Sequence, residues 1–210
     1  MARSKSSSAW LKRHVSDPYV RKAGAQGYRA RSAFKLLEVL ERERLALPGQ
    51  TVVDLGAAPG SWSQVLAHRV GGSGKVVALD LLEVAAIAGV RFIRGDFREE
   101  AVLKQLEEAL GGRKIDLVVS DMAPNISGVR ATDQARSMEL CELALAFAKS
   151  HLNPHGAFLV KAFQGAGYPE FLAVMRRTFA SVASRKPGAS RGESKEMYLL
   201  GRELRVDAVA

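Results

Sequence analysis

With 210 residues, 47% hydrophobic and 25% charged, the chain has enough material for one domain with a sizeable core. No apolar run approaches the roughly 18 residues of a membrane span, and the basic N-terminus lacks the apolar centre of a secretory signal. The net charge is +9, and a single cysteine, Cys141, rules out an internal disulfide, which favours a reducing cytoplasm.

The charge is concentrated at the start. Arg3, Lys5, Lys12, Arg13, Arg21, Lys22, Arg29, Arg31 and Lys35 face one acid, Asp17, so residues 1–35 carry +8 and the rest of the chain only +1. The expected organisation is a basic, partly disordered N-terminal arm over 1–30 and a single domain over 31–210. Such an arm meets nucleic acid or an anionic membrane. Trp10, Tyr19 and Tyr28 interleave with the charges and favour RNA, because bases stack on aromatic faces. For the first eight residues a solvated tail is the competing reading.

From residue 30 helical and strand patterns alternate. "RSAFKLLEVLERERL" has helical apolar spacing at Phe34, Leu36, Leu37 and Leu40. "TVVDLG" is a short strand, "SWSQVLAHRV" a helix, "GKVVALDLL" a strand and "RFIRGDF" another. "EEAVLKQLEEALGG" is a helix closed by glycine, and "KIDLVVSDMAPN" a strand. Residues 132–152 form a long helix that stops near "NPHG"; within it Cys141 reads as a small buried hydrophobe rather than a nucleophile. "AFLVKAF" is a strand, "GYPEFLAVMRRTF" a helix and "KEMYLLGREL" a last strand, after a polar, basic loop over 184–194. Strands separated by helices imply a mostly parallel, doubly wound α/β sheet.

In such sheets a ligand sits beyond the carboxyl ends of the strands, where strand order reverses. "TVVDLG" feeds the loop expected there. Gly56 and Gly60 allow close backbone approach, and Pro59 suits a turn or a first helical position. The loop reads G-A-A-P-G, so the middle glycine of the dinucleotide fingerprint G-x-G-x-x-G is missing. That is wrong for a pyrophosphate but acceptable for a nucleoside with an amino-acid tail. Asp80 follows Gly60 by 20 residues at the end of the second strand, where an acid bonds ribose hydroxyls. Asp96, ending the third, is placed to reach an adenine amino group.

"DLGAAPGSW", "SDMAPN", "LVKAF", "SKEMYLL" and "GYRARSAFKL" together resemble the FtsJ-type ribosomal RNA 2′-O-methyltransferases, in order and spacing over residues 17–202. The likeness is greatest to the bacterial large-subunit type, which methylates a uridine of 23S rRNA. The resemblance implies a Rossmann-like S-adenosylmethionine-dependent methyltransferase fold with a final antiparallel strand. It implies that Gly60, Trp62, Asp80, Asp96 and Asp121 line the S-adenosylmethionine site. It also implies a catalytic tetrad, which falls on Lys35, Asp121, Lys161 and Glu196. The implied partner is 23S rRNA within the large subunit, with no membrane and no metal, the chain acting as a monomer in the cytoplasm.

The chemistry asks for such a set. A sulfonium already activates its methyl group, whereas a ribose hydroxyl is a poor nucleophile that must be aligned and deprotonated. Burial and a second cation, Lys35, would lower the Lys161 pKa, and Asp121 and Glu196 would raise it. Lys161 is therefore a base or a positioning group. His14, His68, His151 and His155 show no metal-ligand spacing. Two other classes compete: an NAD-dependent oxidoreductase, against which the missing glycine argues, and a non-catalytic rRNA-binding assembly factor, against which the intact tetrad argues.

Overall fold

The computed structural model describes residues 16–205. Arg3, Lys5, Trp10, Lys12 and Arg13 of the arm lie outside the described residues. In chain order the elements are α1 (Pro18–Ala25), α2 (Ala33–Glu43), β1 (Thr51–Leu55), α3 (Ser61–Val70), β2 (Lys75–Asp80), β3 (Val90–Arg94) and α4 (Glu100–Leu110). They continue with β4 (Ile115–Ser120), α5 (Arg130–His151), β5 (Leu152–Phe163), α6 (Tyr168–Thr178), β6 (Phe179–Arg185) and β7 (Glu196–Leu204).

The strands form one sheet in the order β3-β2-β1-β4-β5-β7-β6. β1 to β5 are parallel, and β7 enters antiparallel between β5 and β6. Order reverses between β1 and β4, which opens a crevice at their carboxyl ends. Alternation along each strand feeds two cores. Val53, Val77, Val118, Phe158 and Val160 pack with α4, α5 and α6, whereas Val52, Val76, Leu117, Val119 and Leu159 pack with α2 and α3. Both faces of the sheet are therefore covered by helices, as a parallel sheet requires.

The helices follow local signals. Asp17 caps α1 by accepting from the Tyr19 amide at 3.0 Å, with Pro18 in the first turn. Tyr19 and Tyr28 then pack on Phe34 of α2, at ring-centroid distances of 5.6 and 5.7 Å. Residues 16–30 of the arm are thus folded against the domain. Gly111, left-handed at φ 63°, ends α4 where the glycine pair was expected to do so.

One strand departs from the sequence reading. β6, "FASVASR", reads as the end of a helix running into a basic loop, so only six strands are expected. The segment is an edge strand of small and polar residues whose one deeply buried side chain is Phe179. Without an alternating apolar face it carries no strand signal. It is held by β7, whose Gly201 lies where a Cβ would sit 2.3–2.7 Å from the Phe179 ring. Gly201→Ala should therefore destabilise the protein by about 1–3 kcal/mol through overpacking. Urea unfolding reads this as a lowered midpoint; an unchanged midpoint would mean that the Phe179 ring gives way freely.

Candidate active site

The antiparallel β5–β7 ladder sets Lys161 opposite Tyr198 and Phe163 opposite Glu196. Opposed residues and residues two apart share a face, and this one is the α2 side, where Leu159 and Leu200 pack. Lys161 Nζ lies 3.0 Å from Asp121 Oδ1 and donates to the Asp121 backbone carbonyl at 2.6 Å. Lys35 Nζ, reaching in from α2, lies 2.5 Å from Glu196 Oε1. Tyr198 donates its hydroxyl to Asp121 Oδ1 at 3.2 Å. The structure thus brings the four tetrad residues together as two ion pairs, from α2, the end of β4, β5 and β7.

Lys161 and Glu196 are only 9% and 8% exposed. Burial alone would raise the Glu196 pKa, but the Lys35 bond and the Lys161 charge outweigh it, and the carboxyl titrates below its ordinary value. Burial and the charges of Asp121 and Glu196 push the Tyr198 phenol well above its own, so it stays a neutral donor. Tyr198 stands within the quoted "SKEMYLL", but nothing in the sequence pattern separated it from a core aromatic.

The crevice beside this cluster is shaped by the glycine-rich loop. The Asp80 carboxylate accepts from the amides of Ala58 and Leu82, each at 2.8 Å. Gly56 and Gly60 both adopt positive φ, and both are closely packed by the protein itself. A Cβ on Gly56 would strike Met122, and one on Gly60 would strike Arg29, Val84 and Ile87. Their smallness is therefore demanded by internal packing, besides any approach to a ligand. Pro59 lies in the turn before α3, after a cis peptide bond. The Trp62 side chain is buried, donating its indole N–H to the Ser32 carbonyl at 2.9 Å and packing on Tyr198. Asp96 stands in the turn after β3, gripped by the Arg98 guanidinium, with its pKa held down to about 2 by that bond.

Several arm and loop cations are engaged within the chain. Arg29 donates to the carbonyls of Pro59, Ala85 and Ala86, clamping the glycine-rich loop to the segment after β2. Arg31 binds Asp17 and the Ala189 carbonyl. Arg185 belongs to β6 rather than to the loop, and pairs with Glu43 at 2.6 Å. Lys186 donates to the carbonyls of Gly192 and Ser194. Charge counting along the sequence could not foresee these attachments, because the partners are mostly backbone oxygens far away in the chain. Among the described residues no group of three or more His, Cys, Asp or Glu could hold a metal ion, and no helix is long and apolar enough to cross a membrane.

Comparison with known proteins gives concordant results. The profile of the family described as FtsJ-like methyltransferase matches residues 28–204. A ribosomal RNA large subunit methyltransferase E from Azoarcus sp. (strain BH72) is 58% identical over 205 residues, 98% of this chain and 100% of the relative. A protein of the same name from Neisseria meningitidis serogroup C (strain 053442) is 59% identical over 203 residues, 97% of this chain and 98% of that one. A crystal structure from Plasmodium falciparum, assigned as a ribosomal RNA methyltransferase, superposes with a TM-score of 0.77 at 28% identity. It covers 84% of this chain and 98% of that one.

One carboxyl beneath the crevice stands apart. Asp54, next to last in β1, is fully buried and accepts from Ser63 Oγ at 2.6 Å, while its Oδ1 has no partner. Burial, reinforced by the charges of Asp121 and Asp80 and opposed by the Ser63 bond, raises its pKa to about 7. Its unfolded value is about 3.9, so the folded chain holds this proton more tightly. The contribution to stability is complete below that value and is lost as pH rises through about 7. The melting temperature should therefore carry a component that falls between pH 5 and 7.5, and Asp54→Asn should remove it. Identical slopes for the two proteins would show that Asp54 is already ionised at pH 5.

Proposed function

This chain belongs to the FtsJ-like methyltransferase family, and we propose that it transfers the methyl group of S-adenosylmethionine to the ribose 2′-hydroxyl of a uridine in 23S rRNA of the large ribosomal subunit. The observation that carries this reading is the Lys161–Asp121 pair, backed by Lys35–Glu196, at the strand edge beside Asp80. Relatives matched along almost their whole length bear the name of a large-subunit rRNA methyltransferase, and the uridine 2′-hydroxyl follows from the resemblance of the four motifs.

The residues at the crevice suit the cofactor. Each Asp80 oxygen accepts one backbone amide and keeps a lone pair for a ribose hydroxyl. Leu81 and Leu82 expose apolar surface beside it, fit for a purine face. Gly60 opens α3 in a left-handed conformation, leaving the first-turn amides of Ser61 and Trp62 without intrahelical partners. Asp121 adds a carboxylate that accepts from an ammonium. Asp96 would take part only with the oxygen capacity that Arg98 leaves it. S-adenosylmethionine supplies a methyl group already activated by its positive sulfur.

The chain's own task is to orient the hydroxyl and take its proton. A neutral Lys161 has two N–H donors and one lone pair. Asp121 offers two acceptors to those donors, its carbonyl and Oδ1, which leaves the lone pair for the hydroxyl proton. The ammonium so formed is stabilised by the Asp121 carboxylate, whose own charge is steadied by the neutral Tyr198 hydroxyl. Lys35 balances Glu196, so that carboxylate does not lock Lys161 in the charged form beforehand. Trp62 supports the set from below through its contact with Tyr198.

The basic arm over 1–30, ahead of a single domain over 31–210, serves in this reading to hold rRNA phosphates. Arg29 is engaged internally and the Lys22 ammonium sits over the Phe34 ring at 4.7 Å, so Arg21 is the described arm cation best placed for this role. The reading includes a cytoplasmic monomer.

Mapping 2′-O-methyl groups on 23S rRNA with and without the protein should reveal one uridine whose modification depends on it. Modification at another nucleotide or another atom would refute the assignment, and RNA binding without any transfer would favour the assembly-factor reading. Lys161→Arg, which keeps the charge but cannot deprotonate at working pH, should lower the transfer rate about 10²- to 10⁴-fold, with affinity for S-adenosylhomocysteine retained. A largely active arginine variant would make Lys161 a positioning group.

A further inference from the structure

We propose that the cleft on the β4–β5 side of the active site is the seat of the acceptor base, a uracil lifted out of the RNA stack; this rests on the function proposed above. The cleft has a volume of about 630 Å³ and lies between the segment after β4 (Ala123, Pro124, Ile126) and the segment after β5 (Phe163 to Ala166), over the first turns of α5. That size falls within the roughly 300–1,000 Å³ of small-ligand sites.

Three observations point to a base. The first is position. Phe163 is one of the residues that line the cleft, and its ring centroid is 5.8 Å from Lys161 Nζ. The end of β5 thus joins the cleft to the lysine, so a planar group held at that end of the cleft leaves its attached sugar beside the amine that would take the proton. Asp80 and the glycine-rich loop occupy the other side of the reversal point, so the two ligands flank the Lys161–Asp121 pair.

The second is composition. Ile126 is 85% exposed, on a segment that also lines the cleft with Ala123 and Pro124. Arg130 and Lys195 stand at the rim and make no ion pair among the described residues. Glu193 is the one acid there whose carboxylate is not already engaged. An exposed apolar wall with cations beside it suits a base joined to phosphates.

The third is rigidity. Asp133 accepts from the Ser127 amide at 2.8 Å, from Ser127 Oγ at 2.7 Å and from the Gly128 amide at 3.0 Å. Gln134 donates to the carbonyls of Phe163 and Ala166, each at 3.0 Å. Neighbouring residues of α5 therefore fix the two walls independently, so the cleft is formed before RNA arrives. Its occupant gains affinity from that preorganisation.

The test separates the cleft from the reaction. Uridine 5′-monophosphate, added at millimolar concentration with S-adenosylhomocysteine, should shift the backbone amide resonances of residues 123–131 and 163–166. Ribose 5-phosphate should not, and Ile126→Asp should abolish the shifts. Shifts elsewhere, equal shifts with the base-free sugar, or none at all would overturn the proposal, whether or not methyl transfer is observed. In the transfer assay on 23S rRNA, Ile126→Asp should lower kcat/KM about tenfold through KM, the scale of one lost base contact. Because Ile126 is so exposed, the variant should melt like the parent. An unchanged KM would likewise overturn the assignment; no transfer by the parent protein would instead count against the function proposed above.

Discussion

The antiparallel entry of β7 between β5 and β6 is the constraint on which the candidate active site depends. A parallel strand in that place would carry its residues past β5 in the other sense, and 196 and 198 would not face 163 and 161. The antiparallel register sets Glu196 and Tyr198 beside the lysine of β5, on the face to which α2 brings Lys35. Residues 35, 161, 196 and 198, far apart in the sequence, thus meet without a long loop to carry any of them. Sites built on strands and helices hold their geometry more tightly than sites built on loops.

The same edge gathers acids at the carboxyl ends of three adjacent strands: Asp54 in β1, Asp80 in β2 and Asp121 after β4. Each is treated differently. Asp121 meets Lys161 and Tyr198, Asp80 takes backbone amides, and Asp54 is buried against one hydroxyl. Like charges this close cannot all ionise cheaply, and the deepest of them is the one whose proton is held to about pH 7. Electrostatic strain is thereby confined to a group with no contact to solvent, while the two acids at the surface of the crevice remain free to accept hydrogen bonds.

Much of this was legible in the chain. The five parallel strands, the helices between them and the last strand all follow from apolar runs of the right period, and the tetrad lies within the quoted motifs at Lys35, Asp121, Lys161 and Glu196. β6 was illegible because an edge strand of Ala and Ser has no face to bury. Trp62 was expected to line the cofactor site; it stands in the first turn of α3 and its ring is buried in the core. Asp96 was given a ligand without regard for Arg98, two residues away, which takes most of its hydrogen-bonding capacity. Arg29 was counted with the free charge of the arm, although its guanidinium is taken up by three carbonyl oxygens. Local pattern identifies what a residue is suited to; it does not reveal which neighbour reaches it first.

Arg29 also changes what the arm is. Its guanidinium joins three carbonyl oxygens, from residues 59, 85 and 86, that otherwise belong to separate loops, and the Arg29 amide itself is tied to Gln64 of α3 at 2.9 Å. The end of the arm at Arg29 is therefore no detachable handle. Arg29 is the keystone of the crevice, and a chain trimmed at residue 30 would lose its grip on the two loops that frame it.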